Sequence, residues 1–248
     1  MLRNLADTYH CRKGDEFLFE TNLPRVIFFD AGGTLIEPRG SVGAIYQRIA
    51  ACHGLSADAA LLQQNFKQAF ARQPPLACPV GLPVDELDRR ERAWWRKLVT
   101  DVFDASREHP AFDEFFDEVY EYFTRAEAWQ VFDDVLPALQ GLRARGVRLA
   151  VISNFDSRLE KILAATGLDE YFDAVYCSTR CGAAKPDARI FELALRAEGI
   201  ADAEAWHVGD ALREDVEGAQ AVGIKAWLID RDGTSGLTRL DQLIGFFG

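Results

Sequence analysis

The 248-residue sequence is poor in histidine, in methionine and in basic residues. It has 4 His and 1 Met, and its 28 Lys and Arg stand against 39 Asp and Glu, so the formal net charge is −11. Because nucleic acid backbones and anionic lipid surfaces are bound by clustered Lys and Arg, this balance argues against nucleic acid or a membrane as a partner. The sequence also lacks an apolar run long enough to span a bilayer and a signal-peptide pattern at its start, so we expect a cytoplasmic protein.

Cysteine is scarce as well, and its spacing is uninformative for a metal site. The five cysteines are an odd number, widely scattered and without a CxxC pair. This spacing argues against a disulfide framework and against a zinc cage. We therefore expect a reducing compartment, in which Cys177 and Cys181 serve as small buried hydrophobic residues.

The apolar residues that are present form five short runs that predict buried strands. The first run, RVIFF at 25–29, ends at Asp30 and two glycines. The other runs lie at 147–153, 174–178, 205–208 and 224–230. Amphipathic helical patterns alternate with the later runs, and Asp133 and Asp134 predict the start of the first of these helices. This alternation is typical of an α/β fold with a parallel sheet.

A different pattern fills the long stretch between the first two runs, where helical periodicity replaces the strand–helix alternation. The apolar stripes with helical spacing are Trp95, Leu98, Val99 and Val102, followed by Phe112, Phe115, Phe116, Val119 and Phe123. Such stripes predict helix packing in a core rather than a cofactor-binding motif. We therefore expect an N-terminal extension at 1–24, a core domain formed by 25–37 and 132–248, and an inserted helical domain at 38–131.

Side chains that carry chemistry lie at or shortly after the ends of four predicted strands. These side chains are Asp30, Ser153 with Asn154, Lys185, and Asp210 with Asp215. Each of them taken singly has a simpler explanation as a turn former, a helix cap or a solvent-facing loop residue. The carboxyl ends of parallel strands, however, meet at one edge of the sheet, where ligands bind. The sequence therefore predicts that these residues converge on one site.

The four segments resemble, in content and order, the motifs of the haloacid dehalogenase superfamily of aspartate-nucleophile hydrolases. The resembling stretches are FFDAGGTL, VISN, CGAAKPD and HVGDALREDVEGAQAVG. The resemblance runs from Arg25 to the C-terminus. It implies a Rossmann-like parallel sheet in the spatial order 3-2-1-4-5 with a helical cap of the C1 type inserted after the first motif. The cap would hinge near 37–40 and near 130–133, where the insertion meets the core.

The resemblance also implies the role of each residue. Asp30 would be the nucleophile that attacks phosphorus to form an aspartyl phosphate. Ser153, Asn154 and Lys185 would bind the phosphoryl oxygens, and Ser153 and Lys185 would also stabilise the transferring group. Lys185 would in addition keep Asp30 ionised. A Mg²⁺ cofactor would be held by Asp30, the Gly32 carbonyl, Asp210 and Asp215, the last in an outer position or through water.

One position departs from the pattern of phosphatases in this superfamily. Those enzymes carry a second Asp two residues after the nucleophile, where it serves as general acid and base, and here that position is Gly32. General acid–base catalysis contributes about 10² to 10⁴ in rate, so its loss predicts a slow enzyme. Glu37 is a candidate substitute, although ordinary linker polarity is the simpler role for it.

These features favour a Mg²⁺-dependent phosphatase that hydrolyses a small phosphorylated metabolite, slowly because of Gly32. Two alternatives stay open from the sequence. One is a phosphate-binding or partner-binding protein without turnover. The other is a 2-haloacid dehalogenase, whose branch of the superfamily also lacks the second Asp but needs no Mg²⁺, whereas the acidic Asp210 and Asp215 favour the metal-using branch. The sequence carries no signal for the oligomeric state.

Overall fold

The computed structural model describes residues 23–103, 108–233 and 236–248. The predicted N-terminal extension therefore lies outside the described residues, except for its last two positions. The strands are β1 (Val26–Phe29), β2 (Ile36–Pro38), β3 (Trp129–Val131), β4 (Arg148–Ser153), β5 (Ala174–Cys177), β6 (Ala205–Gly209) and β7 (Lys225–Leu228). The helices are α1 (Val42–Cys52), α2 (Ala59–Arg72), α3 (Val84–Phe103), α4 (Phe112–Tyr122), α5 (Val135–Arg143), α6 (Leu159–Ala165), α7 (Ser178–Cys181), α8 (Ala188–Glu198) and α9 (Gly218–Gln220).

Five of the strands form a parallel sheet in the order β5-β4-β1-β6-β7. Counted along the chain as strands one to five, this order is 3-2-1-4-5, so the predicted fold is confirmed. The central strand β1 is fully buried because both of its faces are covered. Ile27 and Phe29 pack into the core on the face covered by α5 and α6, and Val26 and Phe28 pack into the core on the face covered by α8.

The helix after the insertion shows where the structure departs from a capping prediction. It begins at Val135, directly after the predicted Asp134, but the Asp134 carboxylate does not cap it. The carboxylate instead accepts hydrogen bonds from the Arg231 guanidinium and from the Leu240 backbone N–H. Asp134 therefore joins the start of α5 to the C-terminal segment.

The insertion consists of α1 to α4, which lie between β2 and β3. These two strands pair antiparallel, with Ile36 opposite Val131 and Pro38 opposite Trp129, so the chain enters and leaves the insertion through one two-stranded ribbon. The helices have an apolar core of their own in which Tyr46 contacts Phe103 and Phe115. The predicted boundary at 37/38 falls inside β2, and the boundary at 131/132 falls at the end of β3.

Two further sequence expectations concern cysteine and the membrane. Cys52, Cys78, Cys177 and Cys181, the cysteines within the described ranges, are free, and Cys177 is buried while Cys181 is half-buried. A search of the described helices finds none with the length and apolar character needed to cross a membrane.

Candidate active site

The predicted site residues meet at the carboxyl edge of the sheet. Asp30 follows β1, and its backbone N–H continues the ladder by donating to the Val208 carbonyl at 2.9 Å. Ser153 ends the neighbouring strand β4, and Asp210 follows β6 on the other side of β1. Asp30 and Ser153 are buried, whereas Asp210 is exposed at the rim. The parallel order therefore places the side chains from three adjacent strands around one point.

Lys185 supplies the positive charge at this point. Its side chain is buried, and its Nζ lies 2.7 Å from Asp30 Oδ1 and 2.5 Å from Asp215 Oδ1. Burial raises the pKa of Asp30, while the Lys185 ammonium and the Ser153 hydroxyl act in the opposite direction and favour the carboxylate. The predicted contact between Lys185 and Asp30 is thus present.

Asn154 holds the backbone that carries Lys185. Its Oδ1 accepts the Lys185 N–H at 2.7 Å, and its Nδ2 donates to the Lys185 carbonyl at 2.8 Å. Both polar atoms of the Asn154 amide are therefore engaged with this backbone. The structure gives Asn154 the geometry of a positioning residue for Lys185, and Asn154 also lines the cavity that opens from the site, so its contact with substrate stays a prediction.

Asp215 is the second partner of Lys185. Its Oδ1 also accepts a hydrogen bond from His207 Nε2 at 2.9 Å, and its Oδ2 accepts the Ala211 N–H at 3.0 Å. Burial opposes ionisation of Asp215, but Lys185 and His207 outweigh it and lower the pKa of the carboxyl group. The outer position predicted for Asp215 matches these contacts, since its oxygens are directed at Lys185, His207 and the backbone.

His207 was missed by the sequence analysis. It lies inside β6, is completely buried, and its pKa is lowered by burial, so the neutral ring donates through Nε2 to Asp215. Its position within the apolar run at 205–208 marks it as buried but carries no indication of its partner. The pairing depends on the π-helical turn at Leu212–Glu217, which brings Asp215 back beneath the end of β6.

The three acidic residues of the site form a cluster suited to a hard cation. Oxygens of Asp30, Asp210 and Asp215 all lie within 4.8 Å of one another. Lys185 contacts two of these carboxylates, and the third, Asp210, has its pKa raised to about 7 by burial and by the charges of Asp30 and Asp215. All three offer oxygen ligands, which Mg²⁺ prefers, and their repulsion would be relieved by a divalent cation. The residues present therefore fit Mg²⁺.

The two glycines after Asp30 have different structural roles. Gly33 has a φ of +79°, and a Cβ built on it would collide with the Asp210 carboxylate, so this position requires glycine. Gly32 does not have a positive φ, and a Cβ built on it would meet no atom within 4 Å. Gly32, the position that departs from the phosphatase pattern, therefore has room for a side chain.

A cavity of about 760 Å³ opens from these residues into the insertion. Its floor contains Asp30, Ser153 and Lys185, and its far wall includes Phe66, Phe70, Trp94, Trp95, Phe116 and Tyr120. The aromatic stripes predicted as core therefore also contribute to the wall of this cavity. Phe112 and Phe115 are core residues, but Trp95 and Phe116 also face the cavity. Glu37 is not among the described residues that line it.

Buried polar contacts hold the insertion against the core at the edge of this cavity. The carboxylate of Glu91 in α3 accepts the backbone N–H and the hydroxyl of Ser157, at 2.9 and 2.5 Å. The Arg158 guanidinium pairs with Asp156 and donates to the Tyr120 carbonyl in α4. Sequence periodicity gave no indication of these contacts, because a helical stripe shows that a face is buried but not which surface covers it.

Comparison with known proteins agrees with this architecture. The family model for haloacid dehalogenase-like hydrolases matches residues 24–223. Haloacid dehalogenase-like hydrolase domain-containing protein 3 of Bos taurus is 38% identical over 207 residues, which cover 83% of this chain and 81% of that protein. Phosphatase MT3486 of Mycobacterium tuberculosis is 31% identical over 169 residues, covering 62% of this chain and 76% of that protein.

A solved structure has the same fold. The crystal structure of an HAD phosphatase from Thermococcus onnurineus aligns with a TM-score of 0.64 and 25% identity, covering 91% of this chain and 98% of that chain. The Rossmann-like sheet with an inserted helical unit is therefore the fold of a hydrolase. The chain belongs to the haloacid dehalogenase-like hydrolase family.

Proposed function

We propose that this protein is a Mg²⁺-dependent phosphatase that hydrolyses the phosphate monoester of a small metabolite through an aspartyl phosphate. The observation that carries the proposal is the buried Asp30, paired with Lys185 and set beside two further carboxylates. A buried carboxylate held by an ammonium is a nucleophile that is kept ionised. The ammonium is also a ready partner for the oxygens of an incoming phosphoryl group.

In the first step, an oxygen of Asp30 attacks phosphorus while the bond from phosphorus to the ester oxygen breaks. The electron pair leaves with that oxygen as an alkoxide, which takes a proton from water to become the alcohol and leaves a hydroxide that neutralises the proton released in the second step. Lys185 and the Ser153 hydroxyl donate to the phosphoryl oxygens, where charge must be stabilised during transfer. Asn154 and Asp215 keep Lys185 in place through its backbone and its ammonium group.

In the second step, water attacks phosphorus, the bond to Asp30 breaks, and inorganic phosphate leaves with the carboxylate restored. A general base normally removes the proton of this water. Gly32 provides none, so we propose that the second step is slow and that the aspartyl phosphate accumulates.

Asp30, the Gly32 carbonyl and Asp210 are the groups that would hold Mg²⁺, with Asp215 outside them. When bound, the cation supplies positive charge that offsets the repulsion between the carboxylates and the phosphate dianion. The acidic cluster also favours the phosphatase over a 2-haloacid dehalogenase, since three carboxylates beside one ammonium would repel a substrate carboxylate.

The test is phosphate release from a panel of phosphorylated metabolites with Mg²⁺, using wild type, Asp30→Asn and a matched control. Asp169→Asn serves as the control because it makes the same chemical change at an exposed site. We expect Asp30→Asn to lower the rate by about 10³-fold or more, a chelator to abolish it, and Asp169→Asn to leave it unchanged. Phosphate release that survives in Asp30→Asn would contradict the proposal, and halide release from 2-haloacids without metal would replace it with the dehalogenase.

A further inference from the structure

The cavity above the phosphoryl site is large compared with a phosphate group. About 760 Å³ lies within the range of about 300 to 1,000 Å³ that is typical of sites for drug-sized ligands. The cavity is continuous from Asp30 and Lys185 to the aromatic residues of α2, α3 and α4. Any ester that places its phosphorus at Asp30 therefore has its leaving group among these aromatic side chains.

The charges along the cavity restrict what that leaving group can be. Three of the described lining residues are cationic, namely Arg158, Lys185 and Arg213. Lys185 is at the phosphoryl end, and Arg213 is exposed at the rim. The charge of the buried Arg158 is already paired, because its Nε and Nη2 donate to the Asp156 carboxylate, and its Nη1 donates to a backbone carbonyl. A second anionic group on the substrate would thus be buried without a free cation, which is costly.

One polar atom in the aromatic wall lacks a partner. Tyr120 is 4% exposed and lines the cavity, and its hydroxyl makes no hydrogen bond with any described residue. Buried hydroxyl groups are nearly always hydrogen-bonded in proteins, since an unpaired one loses its contact with water for no gain. The Tyr120 oxygen is itself covered by protein atoms, so a ligand in the cavity becomes its partner when the side chain turns towards the cavity.

Resting on the proposed function, we propose that the wall formed by α2, α3 and α4 receives the leaving group of the phosphate ester. This leaving group is an uncharged, aromatic or otherwise apolar alcohol. It carries a hydrogen-bonding group for the Tyr120 hydroxyl. Apolar area removed from water stabilises a complex by about 25 cal/mol per Å². The aromatic wall provides this apolar burial, and the hydrogen bond to Tyr120 orients the leaving group.

The inference is tested with four phosphate monoesters whose leaving alcohols have similar acidity. They are ethyl phosphate, phenethyl phosphate, and the para-acetyl and para-carboxy derivatives of phenethyl phosphate. We expect kcat/KM for phenethyl phosphate to exceed that for ethyl phosphate by at least about 10-fold. The para-carboxy ester should fall at least about 10-fold below phenethyl phosphate, because its charge has no partner.

Two pairs of variants separate the contributions. Tyr120→Phe should lower kcat/KM for the para-acetyl ester, through KM, by about 5- to 10-fold more than it lowers kcat/KM for phenethyl phosphate. Tyr176→Phe is its control, since that hydroxyl bonds Glu198 outside the cavity. Phe70→Ala should reduce the preference for phenethyl over ethyl phosphate by about 3-fold or more. Leu61→Ala, at an exposed position on the same helix that does not line the cavity, should not.

Failure of this inference is distinguishable from failure of the proposed function. Equal kcat/KM for ethyl and phenethyl phosphate, with both activities lost in Asp30→Asn, would overturn the assignment of the leaving group and leave the phosphatase intact. If no ester releases phosphate, the phosphatase is wrong, and the wall is then tested by calorimetry with ethylphosphonate and phenethylphosphonate. Binding of the phenethyl compound at least about 10-fold more tightly would uphold the pocket, and equal or undetectable binding would overturn it.

Discussion

At the scale of single residues, Gly32 has the clearest consequence for rate. A Cβ at this position meets no neighbour and the φ is ordinary, so Gly32→Asp is compatible with the fold. The new carboxylate would stand two residues after the nucleophile and could activate the water of the second step. We expect turnover to rise by about 10-fold or more, with the 10² to 10⁴ typical of general acid–base groups as the upper limit. Gly32→Asn is the matched control, because it has the same shape without a titratable group.

The intermediate provides an independent measurement of the same effect. Acid quench of wild type during turnover should trap a phosphoenzyme, and Gly32→Asp should reduce its amount because the second step is faster. Equal turnover in the Asp and Asn variants, with no phosphoenzyme in wild type, would show that the missing carboxylate does not limit the reaction.

Asp210 allows the proposed metal to be tested without any substrate. Its carboxylate is repelled by Asp30 and Asp215, so Asp210→Asn should stabilise the metal-free protein, by about 1 kcal/mol because exposure to water weakens the repulsion. Mg²⁺ should raise the melting temperature of wild type and have little effect on Asp210→Asn, since binding to the folded state stabilises it. Glu214→Gln, which alters another carboxylate of the cavity, should keep the response to Mg²⁺. Equal responses in wild type and Asp210→Asn would place the cation elsewhere.

The residues that the sequence could identify are those whose position alone carries the information. Asp30, Ser153 and Asp210 stand at strand ends, and strand ends follow from short apolar runs stopped by polar residues and glycines. His207 and Glu91 could not be identified in this way. Asp215 reaches His207 because of a π-helical turn, and Ser157 reaches Glu91 because the helical insertion packs against the core. Neither contact produces a periodic pattern of apolar residues that could be read from the sequence.

At the scale of secondary-structure elements, Asp134 connects several segments, whereas the sequence predicts only that it starts a helix. Its buried carboxylate accepts two hydrogen bonds from Arg231 and one from the Leu240 N–H, while Arg231 also donates to the Thr34 carbonyl. The start of α5, the C-terminal segment and the turn after Asp30 therefore share one charged pair. A helix start is a local feature that sequence can predict, whereas the element that meets its carboxylate is set by the tertiary fold.

Removing the Asp134 carboxylate should be far more costly than removing that of its neighbour. Asp134→Ala leaves Arg231 without its carboxylate in a largely buried site, and we expect a loss of about 3 to 5 kcal/mol in the free energy of unfolding. Asp133→Ala is the control, because Asp133 is 84% exposed and its pair with Arg239 should contribute less than about 1 kcal/mol. Denaturant titration of both variants measures the difference. Similar losses in the two would show that the buried pair has no special weight.

At the scale of the whole molecule, the cap formed by α1 to α4 is positioned by the β2–β3 ribbon and by buried polar contacts with the core. The predicted hinges at 37–40 and 130–133 belong to paired strands, since Glu37 lies opposite Gln130 and the Arg39 N–H donates to the Ala128 carbonyl. The two connections to the cap are thus hydrogen-bonded to each other, so both would have to move together in a hinge motion. The helices themselves are held to the core through Glu91 and Arg158, beside the loop that follows Ser153.

Glu91 is the contact whose loss should release the cap. Glu91→Ala leaves the Ser157 N–H without its acceptor, so we expect a loss of about 1 to 3 kcal/mol in stability and a larger radius of gyration in solution scattering. Water would then enter the cavity and weaken the interactions of Lys185 with the phosphoryl group, so kcat should fall as well. Asp88→Ala, at an exposed position one turn earlier in α3, is the control. A Glu91→Ala protein that loses stability but keeps both its radius and its kcat would show that Glu91 supports the fold without controlling the cap. A phosphate analogue that restores the wild-type radius would instead show that the bound phosphoryl group itself draws the cap onto the core.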